Sequence, residues 1–240
     1  MDLTRPVAAC LLLAALAPFP ARSAEAQTIR PVVVEYRKNH VEGRFELVND
    51  GLTPLNVVLE PKSFDISDAG EPTYRPLDPR IRLRLSTMSI RIPAKQTRLV
   101  FYEASAESLP AWFVIPCTFS EIRPRPGLEV RVELPHTVYL VQKDALLRSD
   151  IEIPYAAFNA AAHVVELDLV NRGPRLGRAM DAEAIGNGKR ERHPSFPMPP
   201  NGHRRLVIPW NAEQSPTRVK IRFPGFTLER SLTGAVQAGG

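Results

Sequence analysis

Apolar and polar residues alternate along much of the chain, most cleanly over 128–142, LEVRVELPHTVYLVQ. Val130, Val132 and Leu134 are apolar at spacing two, with Glu129, Arg131 and Glu133 between or beside them. This pattern predicts a β-strand with one dry face and one wet face. It continues past Pro135 through Thr137, Val138, Tyr139, Leu140 and Val141, which is long for a strand. Proline has no N–H to give a sheet, so Pro135 points to an edge strand. An exposed edge is a template for another chain. The plain alternative is that the triad only fills its own domain's core.

The same reading gives further strands at 29–36, 43–49, 54–60, 97–103 and 111–119, with one or two short ones in 82–92. Asp50-Gly51 and the run 93–96 read as turns, 61–79 as a long sheet-crossing connection rich in Asp, Gly and Pro, and 120–127 as a short basic loop. The stretch 111–119 is nearly all apolar, as a central strand should be. About seven strands with regular turn signals predict an immunoglobulin-like sandwich over 27–143.

Residues 143–150, KDALLRSD, break the β pattern, and 144–150 is assigned as a linker. Beyond it the words return. VELDLVNRG at 165–173 echoes RFELVNDG at 44–51, and PPNGHRRLVIP at 199–209 echoes IPAKQTRLVF at 92–101. Two echoes in one order predict a second copy over 151–233, ending in strands near 218–223 and 226–232. A tail at 234–240 is expected to be disordered. The fold class is therefore all-β: two immunoglobulin-like β-sandwich domains in tandem.

Composition adds compartment and stability. Arg5 precedes an apolar run at 7–16, followed by small residues and Ala24-Glu25-Ala26. This is a secretory signal peptide over 1–26, too short in its apolar part to span a bilayer. No later segment is long and apolar enough for a membrane helix, so an exported, soluble product is expected. Of the two cysteines Cys10 leaves with the signal, and Cys117 in an apolar strand reads as a buried, inert thiol. The 24 prolines agree with short strands rather than long helices. A formal charge of +5 suits acidic partners, yet the arginines are scattered and no aromatic platform lies among them, which argues against nucleic acid.

Catalytic constellations are missing. The five histidines share no metal-ligand spacing and are expected at the surface or at strand ends. No nucleophile elbow, zinc-protease helix or phosphate loop is present. Gly186-Asn187-Gly188 reads as a hairpin turn, Asp65 and Asp68 as turn residues, and 189–193 as a solvated loop. Neither an enzyme nor a cofactor or metal is expected.

Behind a signal peptide, this order of words resembles the periplasmic pilus-assembly chaperones of the chaperone–usher pathway. The resemblance is carried by 45–51 (FELVNDG), 92–100 (IPAKQTRLV), Ser108-Leu109-Pro110 and the alternating strand at Val130. Over 150–232 it is architectural only. The family implies a periplasmic protein that caps pilin-like subunits by lending them an edge strand, and an outer-membrane usher as second partner. Val130, Val132 and Leu134 match the donor positions. The family also implies an arginine on the first strand and a lysine on the last, which hold the subunit's terminal carboxylate in the cleft between domains. Counting places Val33 and Tyr139 there, and neither is basic. Arg30, Arg37, His136 and Lys143, with Tyr139 itself, are the candidate cleft residues. The other reading is a two-domain envelope adhesion or scaffolding protein with no subunit to fold.

Overall fold

The computed structural model describes residues 27–122 and 130–233, and almost every regular element among them is a β-strand. The expected signal segment 1–26 and the expected tail 234–240 lie outside the described residues, as do Leu128 and Glu129 of the alternating stretch and 123–127 of the expected basic loop.

Eleven strands make the first unit. They are β1 (Gln27–Arg30), β2 (Val33–Tyr36), β3 (His40–Asn49), β4 (Leu55–Leu59), β5 (Lys62–Ile66), β6 (Pro72–Pro76), β7 (Ile81–Leu85), β8 (Ser89–Ile92), β9 (Gln96–Ala106), β10 (Ala111–Glu121) and β11 (Arg131–Leu140). One sheet runs β1-β3-β9-β7, and the other β2-β11-β10-β4-β8, with β5 paired to β10 and β6 to β5. Alternate residues of both sheets meet between them. Phe45, Leu47, Val57, Ile92, Phe113, Ile115, Cys117 and Leu140 are all fully or almost fully buried there. Their burial supplies most of the driving force for this half. The N-terminal strand is shared: β1 pairs with β3 in one sheet, then the chain crosses at Pro31-Val32 and β2 pairs parallel with β11 in the other.

The segment 61–79 is not a loose crossing but the hairpin β5–β6. Its loop-like composition misleads because Pro72 and Pro76 bound β6, which is exposed along its whole length and so can carry prolines.

A 3₁₀ turn at Arg148–Asp150 leads into the second unit. Its strands are β12 (Ile151–Asn159), β13 (Val164–Asn171), β14 (Gly177–Ala179), β15 (Asp181–Gly186), β16 (Lys189–His193), β17 (Phe196–Met198), β18 (His203–Pro209), β19 (Arg218–Phe223) and β20 (Phe226–Ser231). They form the sheets β12-β13-β18 and β16-β15-β19-β20, with the short pair β14-β17. A separate core is built around Trp210, Leu167, Leu169, Phe196 and Ile221. Gly186-Asn187-Gly188 is the hairpin turn, with positive φ at Asn187 and Gly188 as such a turn requires. The run 189–193 is strand β16 rather than a loop: Arg192 lies across from Glu183 and pairs with it, and Arg190, opposite Ile185, reaches the same carboxylate diagonally.

The echoed words hold one hydrogen-bond pattern twice. Asn49 is buried at the end of β3 and donates through Nδ2 to the carbonyls of Thr53, Ile92 and Pro93, while Gly51 N–H donates to its Oδ1. Asn171 ends β13 and donates in the same way to Arg175, Met198 and Pro199, with Gly173 N–H on its Oδ1. Each asparagine ties its strand end to the turn that begins the next strand of its sheet.

Candidate functional site

Strand β11 is an edge for half its length. On its inner side it pairs with β10 throughout, from Arg131↔Ser120 to Leu140↔Ala111. On its outer side β2 covers only Thr137 to Leu140. Among the described residues, the outer flank from Val132 to His136 has no sheet neighbour.

Side chains along this flank grade from solvent to core. Val130, just ahead of the strand, is 52% exposed. Val132 and Leu134 are half-buried and rest against the sandwich core, and His136, Val138 and Leu140 continue the same row fully buried. The triad Val130, Val132, Leu134 therefore lies at the open lip of the core, facing the space between the sheets. Packing alone does not require an unpaired backbone there.

His136 breaks the expectation for the histidines: it is buried. Its ring stacks on Phe45, with centroids 4.4 Å apart. Nδ1 lies 2.7 Å from the Pro31 carbonyl, so that nitrogen carries the proton and donates. Nε2 then accepts from the Tyr102 hydroxyl at 3.4 Å, and Tyr36 donates to Tyr102 at 3.2 Å. Burial holds the imidazole below its ordinary range, against the opposing pull of the Pro31 bond. Burial likewise pushes the Tyr102 hydroxyl well above its ordinary range.

The other face of the second sheet looks into the junction between the two units. Phe64, Val114, Tyr139 and Val141 of the first unit form a small core with Leu176 of the second. Beside it lies a cleft of 250 Å³. Its walls are the edge (Val33, Pro135, Thr137, Tyr139), the β5–β6 hairpin (Ile66, Pro72, Tyr74) and the second unit (Arg178, Pro197). The lining is apolar apart from Thr137 and one cation. That cation is Arg178, whose guanidinium sits 5.0 Å above the Tyr139 ring and donates through Nε to Glu35. Burial raises the Tyr139 hydroxyl, with Arg178 working against it.

The expected cleft residues are dispersed. Tyr139 is buried in the cleft and Val33 stands at its rim. His136 faces the opposite way, into the core. Arg30 is exposed at the end of β1, and Lys143 is exposed after β11. Arg37 lines a separate hollow behind Glu35 and Arg178. Sequence reasoning missed Arg178. It lies in β14, 39 positions after Tyr139 in the chain, where no repeat or spacing connects the two. Among the described residues no group of three or more His, Cys, Asp or Glu is placed to hold a metal ion, and no helix is long and apolar enough to cross a membrane.

This architecture defines a class: two tandem immunoglobulin-like sandwiches joined at a cleft, the first with a partly uncovered edge. No protein-family model and no curated protein matches the chain. Solved structures share the fold. The YadV chaperone superposes with a TM-score of 0.52 at 13% identity, covering 85% of this chain and 97% of its own. A chain from the Salmonella enterica complex of the SafA pilin with the SafB chaperone superposes with a TM-score of 0.55 at 13% identity, covering 88% of this chain and 99% of its own. The likeness spans both units, including the second, where the sequence carried only an architectural resemblance.

Proposed function

We propose that the protein is a periplasmic chaperone, exported by a cleavable signal peptide, that caps a pilin-like subunit by lending it the open half of β11. One observation carries the reading: among the described residues the outer flank of β11 from Val132 to His136 has no sheet neighbour, where Val132 and Leu134 sit at the lip of the core with Val130 just ahead of them. A subunit missing a strand gains both a backbone partner and three apolar side chains for its own core. Full burial of three such side chains contributes about 5–9 kcal/mol at about 1.5–3 each. Val132 and Leu134 are already half-buried, so the gain on docking is nearer about 3–6 kcal/mol. That suits a cap which must later be released. The cleft cation that the family resemblance calls for comes from the second domain, as Arg178, and the end of the subunit chain lies against it. An outer-membrane usher is the expected acceptor of the capped subunit, and no chemistry is catalysed.

The test is co-purification with a co-expressed, exported pilin-like subunit. Val130→Asp places a charge on a side chain that is solvent-exposed in the free protein, so the fold is retained. Subunit yield is expected to fall at least tenfold, and unchanged yield would sink the reading.

A further inference from the structure

We infer that Pro135 and His136 form a stop that ends the lendable part of β11 at Glu133. The inference rests on the strand-lending reading and adds a register to it: a client strand finds its last free backbone N–H donor at Glu133, and the Pro135 carbonyl beyond it can only accept.

The phase of the backbone comes first. Thr137 N–H donates to the Val32 carbonyl at 2.7 Å and Val141 N–H to the Tyr36 carbonyl at 2.8 Å. Odd-numbered residues of β11 therefore turn their hydrogen-bonding groups outward, and even-numbered ones turn theirs toward β10. Continued back along the strand, this phase puts Glu133 and Pro135 on the open flank. The facing residue on β10 agrees. Pro135 lies opposite Pro116, whose carbonyl accepts from Glu60 on the far side, away from β11. The two prolines thus face each other at a position where neither needs an N–H toward the other.

Pro135 has no N–H to offer. The amide of Thr137 is already used by β2. Between the outward amides of Glu133 and Thr137, four residues or roughly 13 Å of strand, the open flank donates nothing. A visiting strand that slid two residues toward the cleft would bring a carbonyl to Pro135 and leave it unmet. Val130, Val132 and Leu134 are thereby held in one register against the client.

His136 fixes the other side of the stop. The chain has only Pro31 and Val32 in which to cross from β1 to β2. The Pro31 carbonyl, turned inward at this crossing, is met by His136 Nδ1. The ring is held by Phe45 on its face and by the Tyr102 hydroxyl at Nε2, which Tyr36 bonds in turn. Gly43 makes the space for this chain: a Cβ there would lie 2.2 Å from the Tyr102 ring. His136 is thus a positioning residue. It acts through Pro31 to set where β2 begins, and so where the open edge ends.

Amide hydrogen exchange on the mature chain tests this, alone and bound to a co-expressed pilin-like subunit. In the free protein Glu133 should exchange at least tenfold faster than Thr137 and Tyr139. In the complex Glu133 should become protected at least tenfold while Thr137 does not change. His136→Ala should speed exchange at Thr137 and Tyr139 at least tenfold and leave Val132 and Leu134, which face β10, unaltered. General destabilisation would move all four together. His136→Asn, which keeps a donor for Pro31, should restore much of the protection. Pro135→Ala supplies the missing donor, and the new amide at position 135 should become protected in the complex. If that amide stays unprotected in a complex where Glu133 is protected, the inference is overturned. So it is by loss of β2 protection at Thr137 when the wild type binds. If the free-protein pattern holds but no subunit binds, strand lending is overturned and the stop stands as a feature of the edge.

Discussion

At the scale of single residues, two asparagines decide how each sandwich closes. Asn49 and Asn171 are fully buried, and each shares the two hydrogens of its Nδ2 among three carbonyls and accepts from one glycine N–H. Alanine in either place leaves those groups without a partner in a site that excludes water. An unmet buried group costs about 1–3 kcal/mol, and neighbouring groups relax to meet some of them. Asn49→Ala and Asn171→Ala should each lower stability by about 2–4 kcal/mol, read from urea unfolding of the chain from residue 27 onward. Equal losses would confirm that the two sites are one motif. The repeated Leu-Val-Asn words were readable in the sequence as a duplication. Their purpose was not, because the carbonyls they serve lie 43 and 27 residues further along the chain. His136 was unreadable for a similar reason. The Phe45 ring and Pro31 carbonyl that make a buried imidazole tolerable come from distant strands.

At the scale of elements, β10 explains its own composition. It is apolar on both faces because both are covered. Phe113, Ile115 and Cys117 face the sandwich core, while Val114 faces the small core at the junction, with Trp112 packed beside it. Trp112 also donates to the Phe64 carbonyl at 2.8 Å, tying β10 to the β5–β6 hairpin. A strand covered on both sides is expected to hold an inert thiol. Burial pushes the Cys117 thiol up to about 12. Its reactive thiolate is then about one part in ten thousand at pH 8, against roughly a quarter for an ordinary cysteine near 8.5. Native protein should resist iodoacetamide at pH 8, and the same protein in urea should be alkylated within minutes, as intact mass will show. Fast alkylation of the native form would mean that β10 is open on one side. The nearly all-apolar strand at 111–119 was legible from sequence, and so was the burial of Cys117. The hairpin was not, since prolines and aspartates look the same in a loop and in an exposed edge hairpin. Strand β11 was legible as an alternating edge, but its covered half was hidden, because β2 reaches it only after changing sheets at Pro31.

At the scale of the whole molecule, function on the present reading needs both units in one fixed relation. The open edge and the cleft are continuous through Pro135, Thr137 and Tyr139, yet Arg178 comes from the other unit. Polar contacts hold the relation, beside the small core shared with Leu176. Gln142 exchanges hydrogen bonds with the backbone of Leu176 at 2.8 and 3.3 Å. Arg178 pairs with Glu35. The tip of the β5–β6 hairpin docks on β18: the Asp68 carbonyl accepts from Arg205 N–H at 2.7 Å, and its carboxylate lies 2.9 Å from His203. Gly70 is the hinge of that tip. Its φ is +90°, and a Cβ there would fall 1.4 Å from the Arg204 guanidinium, which is stacked over Phe196. Gly70→Val is strained in its backbone and displaces Arg204, so the tip should lift from β18. Strain of this kind costs about 1–3 kcal/mol. Because the tip closes no core, most of the cost should be met by undocking rather than by unfolding. Small-angle scattering should then report a larger radius of gyration at an unchanged melting profile. Subunit capture should fall, although β11 and its triad are untouched. Capture that survives a measurable opening would show that the edge works without the cleft, and Arg178 would lose its proposed role.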